Sequence, residues 1–102
     1  MGLDLSGQDL SGRDLSGRDL KSANLNGAHL NGADLSESNL YGASLRGADL
    51  SRATLNGSDL REACLIDANL TGAFLYDAFL NGADLRGAAL TGATMPDGTI
   101  HD

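Results

Sequence analysis

The chain has no tryptophan, a single cysteine, a single proline, and aromatic residues at only 4% of its length. One cysteine, Cys64, excludes an internal disulfide. With aromatics this rare, any place where they gather is informative. Basic residues are also scarce, 7 Lys and Arg against 14 Asp and Glu, for a net charge of −7. That balance disfavours nucleic acid and anionic membranes as partners, and permits cationic partners or mimicry of a polyanion. No apolar run approaches the length of a membrane span, and Met1 leads straight into the body of the chain without a signal-peptide pattern. The expectation is a cytoplasmic protein, any removed targeting peptide aside.

Catalytic chemistry is missing too. There is no Ser/His/Asp set, no phosphate-cradling glycine loop and no paired cysteine, so no catalytic, cofactor-binding or metal-ligating residue is expected. The chain does not read as an enzyme. Its 102 residues suit one domain spanning the whole length.

What is abundant is leucine, at every fifth position from Leu5 to Leu90, with Met95 and Ile100 continuing the register. A period of five fits neither ordinary element. On a helix it advances each Leu by about 140° and smears the apolar stripe; on a strand an odd spacing flips alternate Leu residues to opposite faces. One face stays buried only if the chain turns between repeats. Glycine two residues after most leucines, as in Gly7, Gly27 and Gly87, supplies that turn, because positive φ costs it little.

The residue two before each leucine should face inward with it, by the alternation of a short extended segment. That slot is Ala from Ala23 to Ala93, with Ser38 and Ser58 as exceptions. Wide leucine layers alternating with narrow alanine layers fill a slim bore. Turns of roughly 90° close a square after four repeats, so a coil takes about twenty residues and lies about 4.8 Å from the next. The chain then makes about five coils.

Segments such as Ala33-Asp34-Leu35-Ser36-Glu37 and Ala83-Asp84-Leu85-Arg86-Gly87 resemble the pentapeptide-repeat family, with its A-(D/N)-L-x-x motif. The resemblance implies an all-β fold, a right-handed quadrilateral β-helix, over almost the whole chain. It also implies a family abundant in cyanobacteria whose biochemical roles are mostly unknown. Unbroken register makes the match specific, since one pentapeptide alone would mean little.

Departures from the repeat mark three regions. Residues 1–20 form an atypical N-terminal coil, with Gln8, Arg13 and Arg18 in the inward slot. A guanidinium cannot sit unpaired in an apolar bore, so these side chains are expected to curl over the open end as a polar cap. Residues 61–80 carry Cys64, Ile66, Phe74, Tyr76 and Phe79 in outward slots, and these form the candidate interaction surface. Residues 94–102, with Pro96 and Gly98, suggest a closing turn. Reading every twentieth residue places His29 between Asp9 and Asp49; ligands in a line suit a solvated ion pair better than a metal site.

The function expected is a non-enzymatic scaffold or protein–protein interaction module. Self-association, as a homodimer through residues 61–80 or the C-terminal end, is the partner expectation, with no nucleic acid and no membrane. The alternative is an acidic DNA mimic that binds DNA gyrase or a topoisomerase, as some members of the resembled family do. Against it, Arg46 and Arg52 balance Asp49 and Asp59 in the middle of the chain.

Overall fold

The computed structural model describes residues 2–102. Backbone bridges tie each outward residue before a leucine to its counterpart twenty residues on, in parallel: Asp4 to Asn24, Asn24 to Ser44, Ser44 to Cys64, Cys64 to Asp84. The same step recurs in three further columns, beginning at Asp9, Asp14 and Asp19. The chain is therefore a solenoid with four repeats per coil. Its faces are numbered here by their leucine columns: the first holds Leu5, the second Leu10, the third Leu15 and the fourth Leu20.

Each repeat is held by the same hydrogen bonds. The leucine amide donates to the next coil, as from Leu25 to the Ser44 carbonyl at 2.7 Å. The corner amide does likewise, from Gly27 to the Arg46 carbonyl at 2.9 Å. A bond runs back from the upper coil, from Ser44 N–H to the Ala23 carbonyl at 2.9 Å. A fourth closes the corner, from Ala28 N–H to the Leu25 carbonyl at 3.0 Å. Corners require a left-handed residue: glycine at most, and Ser22, Glu37, Arg52, Glu62, Asp67 and Asp77 at the rest. Without glycine such a conformation costs roughly 1–2 kcal/mol, which packing on both sides must offset.

Inside, the leucines from Leu25 to Leu75 and the alanines between them are buried. Both serines in the inward slot are buried as well, but they differ. Ser38 Oγ donates to the Leu35 carbonyl at 2.6 Å, whereas Ser58 Oγ has no partner among the described residues.

Two places depart from the sequence expectation. Leu3 is exposed and Leu5 half-buried, because the first coil has a neighbour on one side only. Ile100 does not continue the leucine register. The left-handed residue that closes a corner at Asp77 falls one position later here, at Gly98 with φ of 87°, and the chain reverses instead of turning. Ile100 then pairs antiparallel with Thr94 and is 63% exposed. Main-chain bonds hold this closing hairpin: Met95 N–H to the Thr99 carbonyl at 2.7 Å, Gly98 N–H to the Met95 carbonyl at 2.8 Å, Gly92 N–H to the His101 carbonyl at 2.8 Å, and His101 N–H to the Ala93 carbonyl at 2.8 Å, while Asp77 N–H reaches up to the Pro96 carbonyl at 3.0 Å.

Two stability changes follow. Ser58→Ala removes a buried hydroxyl without a partner and should stabilise the fold by about 1 kcal/mol, while Ser38→Ala, which deletes a made bond, should not. Denaturant midpoints of the two variants measure the contrast. Leu50→Asp places a charge in the middle of the bore and should abolish folding, read by circular dichroism.

Candidate functional site

The outward residue before each leucine has a structural task, visible once the ladder is accounted for. One amide per repeat, on the residue after leucine, takes no part in the ladder, and the Asp or Asn before leucine accepts from it. Asp4 Oδ1 takes the Ser6 amide at 3.1 Å and the Ser6 hydroxyl at 2.7 Å. Asp9 and Asp49 do the same for Ser11 and Ser51. Asn24 and Asn39 serve the amides of Asn26 and Tyr41. These carboxylates are turn caps. The serine hydroxyl and amide hold the Asp4, Asp9, Asp14 and Asp49 carboxyls below the usual range, with His29 adding a smaller pull on Asp9 and Asp49. His29 itself is exposed, bridged in line between those two aspartates. Among the described residues no three His, Cys, Asp or Glu side chains gather to hold a metal ion.

Against that pattern, the aromatic residues stand out. Phe74 stands above Asp14, Asp34 and Thr54 on its column, and Phe79 above Asp19, Asn39 and Asp59 on the next. The two phenylalanines are 46% and 55% exposed, and Tyr76 is 51% exposed. At Phe74 the lost cap is replaced from the coil below, since the Tyr76 amide donates to Asn56 Oδ1 at 2.9 Å. Phe74 and Tyr76 lie on the third face and Phe79 on the fourth, around the corner at Asp77. Tyr76 also packs beside Gly98, whose added Cβ would lie 3.5 Å from the ring, so the aromatic corner adjoins the closing hairpin.

The structure sets Cys64 and Ile66 apart from these rings. Both are half-buried on the first face, Cys64 in the column of Ser44 and Asp84 and Ile66 in that of Arg46 and Arg86. Tyr41, which the sequence did not single out, stands exposed on the fourth face with the Arg61 guanidinium 5.4 Å from its ring centre. Asp59 fixes that guanidinium through Nε at 2.9 Å and Nη2 at 2.8 Å. The signal was available, because Tyr41 and Arg61 are twenty residues apart. All aromatic side chains of the chain, Tyr41, Phe74, Tyr76 and Phe79, thus share two adjoining faces.

Concave surface is limited. A hollow of about 230 Å³ on the fourth face is lined by Lys21, Asn39, Tyr41, Asp59 and Arg61. At the N-terminal end a hollow of about 260 Å³ opens onto Leu5, Leu10, Leu15 and Leu20, with Gln8, Arg13 and Arg18 exposed around it. No helix of the described residues is long and apolar enough to cross a membrane.

A family model described as pentapeptide repeats matches in 8 copies, over residues 1–36, 28–65 and 63–97. The chain belongs to the pentapeptide repeat family. Proteins of this family form right-handed quadrilateral β-helices. A pentapeptide repeat protein from the thylakoid lumen of Arabidopsis thaliana is similar at 39% identity and a TM-score of 0.91, with 100% of this chain and 71% of that one covered. A pentapeptide repeat protein from the cyanobacterium Cyanothece 51142 aligns at 37% identity and a TM-score of 0.73, covering 97% of this chain and 64% of that one. HetL of Nostoc sp. strain PCC 7120, involved in heterocyst differentiation regulation, aligns at 45% identity and a TM-score of 0.54. There the coverage is 96% of this chain and 43% of HetL. No curated protein sequence matches the chain.

The turn caps set the response to acid. Asp4, Asp9 and Asp14 have folded pKa values below their ordinary ones. Their contribution is therefore present above the unfolded value of about 3.9 and lost as pH falls through the folded values. All three lie in the first coil, which has only one neighbour to hold it, so this coil should loosen first on acidification. The amide resonances of Gly7, Gly12 and Gly17 report it. An Asp→Asn triple variant, which keeps the acceptors as Asn24 does, should remove the effect.

Proposed function

We propose that this chain is a non-enzymatic, right-handed coil that binds protein through the corner of its third and fourth faces, where Phe74, Tyr76 and Phe79 are exposed. The carrying observation is the exchange made at Phe74 and Phe79. Local structure wants a carboxylate or amide there, and an exposed ring stands instead. Scattered apolar residues on a surface need no explanation; clustered rings that displace a turn cap do, and a partner surface supplies it. Family membership supports the class, since pentapeptide repeat proteins are in general structural or interaction modules. The partner we favour is a second copy, giving a homodimer.

The DNA-mimic reading draws on the net charge of −7. It is weakened by Arg46 and Arg86 on the first face and Lys21 and Arg61 on the fourth, which stand beside the acidic columns and offset their charge. A gyrase supercoiling assay with the purified protein should show no inhibition.

Light scattering tests the corner. The wild type should be dimeric at micromolar concentration, and Phe74→Asp with Phe79→Asp should be monomeric. Because aspartate supplies a turn acceptor at position 79 and Asn56 already serves the Tyr76 amide behind position 74, the double variant should keep the circular-dichroism spectrum of the wild type. A monomeric wild type, or a dimer that survives both substitutions, overturns self-association at this corner.

A further inference from the structure

The two ends of the solenoid are unfinished in opposite senses. At the C-terminal end the amides of Leu80, Gly82, Leu85, Gly87 and Leu90 donate to no main-chain carbonyl among the described residues, although every lower coil uses these amides to reach the coil above. The Ala78, Ala83 and Ala88 carbonyls likewise accept no main-chain bond. At the N-terminal end the converse set makes no main-chain bond among the described residues: the Asp9, Asp14 and Asp19 amides, and the carbonyls of Asp9, Ser11, Asp14 and Ser16. In the body of the protein these are the groups that pair with one another, with the same parallel direction and spacing. The apolar layers are matched as well, half-buried Leu80, Leu85 and Leu90 at one end and the leucine-floored hollow at the other.

We propose that the N-terminal coil of a second copy fits the C-terminal edge, and that the hairpin of residues 96–102 is a plug that prevents this stacking. The hairpin occupies the next coil's place on the third face, taking up the Met95 amide through Thr99 and the Gly92 amide through His101. Its reversal at Gly98 points the following residues away from the coil path. Unplugged, the contact is heterologous and does not close, because each added copy presents a fresh C-terminal edge; the product is an open filament. Gln8, Arg13 and Arg18 form the second guard, since docking an apolar layer on the hollow would desolvate the two guanidinium groups.

The test opens the plug in the full-length chain. In Thr99→Pro, His101→Pro the second substitution deletes the donor to the Ala93 carbonyl by construction. It is made in the Phe74→Asp, Phe79→Asp background, so that growth is independent of the aromatic corner. Sedimentation should show the plugged protein of that background at a fixed mass and the opened variant growing with concentration and time. Electron microscopy should then show filaments, and Arg13→Ala with Arg18→Ala should shorten the lag. An opened variant that keeps the mass of the plugged one overturns the proposal, as do filaments formed equally by the plugged protein.

Discussion

Everything in this molecule depends on a main-chain ladder that repeats every twenty residues. A single repeat is too short to fold alone: it offers one bridge, one corner and two inward side chains. Stacked, it makes three main-chain bonds to the coil above, and its leucine meets leucines above and below in a bore where small alanines and two serines fill the space beside them. Stability therefore accrues along the axis through nearest neighbours. The left-handed corners at Ser22, Glu37, Arg52, Glu62, Asp67 and Asp77 are tolerated because the ladder on either side leaves the backbone no alternative.

The ladder also explains why the surface is so acidic without being catalytic. It uses every amide of a regular repeat except the one after leucine, and a short side chain two residues earlier is the nearest acceptor for that amide. Aspartate and asparagine meet the need, and the bound carboxylates titrate low as a result. Where the slot holds another residue, the coil below can step in: Asn26 accepts from Arg46 behind Ser44, and Asn56 accepts from Tyr76 behind Phe74. At the last repeat Pro96 stands in the position after Met95, where it has no amide to satisfy. The negative charge is thus largely a consequence of folding, which is a reason not to read it as a ligand surface.

Much of this was legible in the sequence because one period governs both the core and the corners. The inward alanines and leucines, the twenty-residue columns and the capping role of the aspartates all follow from reading every fifth or every twentieth residue. Position on a face was harder to read than position in a coil. Cys64 and Ile66 share a coil with Phe74 and Phe79, yet the bore places them on a different face. Ile100 kept the spacing of the repeat but left its path, because the left-handed residue had moved from the corner slot to Gly98. A periodic pattern specifies a residue's slot only while the corners recur on schedule.

The ends are where the repeat's own logic turns against it. A ladder that any identical coil can extend has no intrinsic length, so a finite solenoid must break the pattern at its edges. This chain breaks it differently at each. At the N-terminal end it keeps the backbone regular and changes the side chains, putting Gln8, Arg13 and Arg18 where alanine would let another layer approach. At the C-terminal end it keeps alanine and leucine to Met95 and changes the backbone, using one glycine to reverse the chain. The first device raises the cost of burying the edge; the second occupies part of the edge itself. The second can be withdrawn by a conformational change, since it is held by a few main-chain bonds at the margin of the fold, beside the aromatic corner, where Gly98 lies near the Tyr76 ring. Binding at that corner and opening of that edge are therefore structurally adjacent.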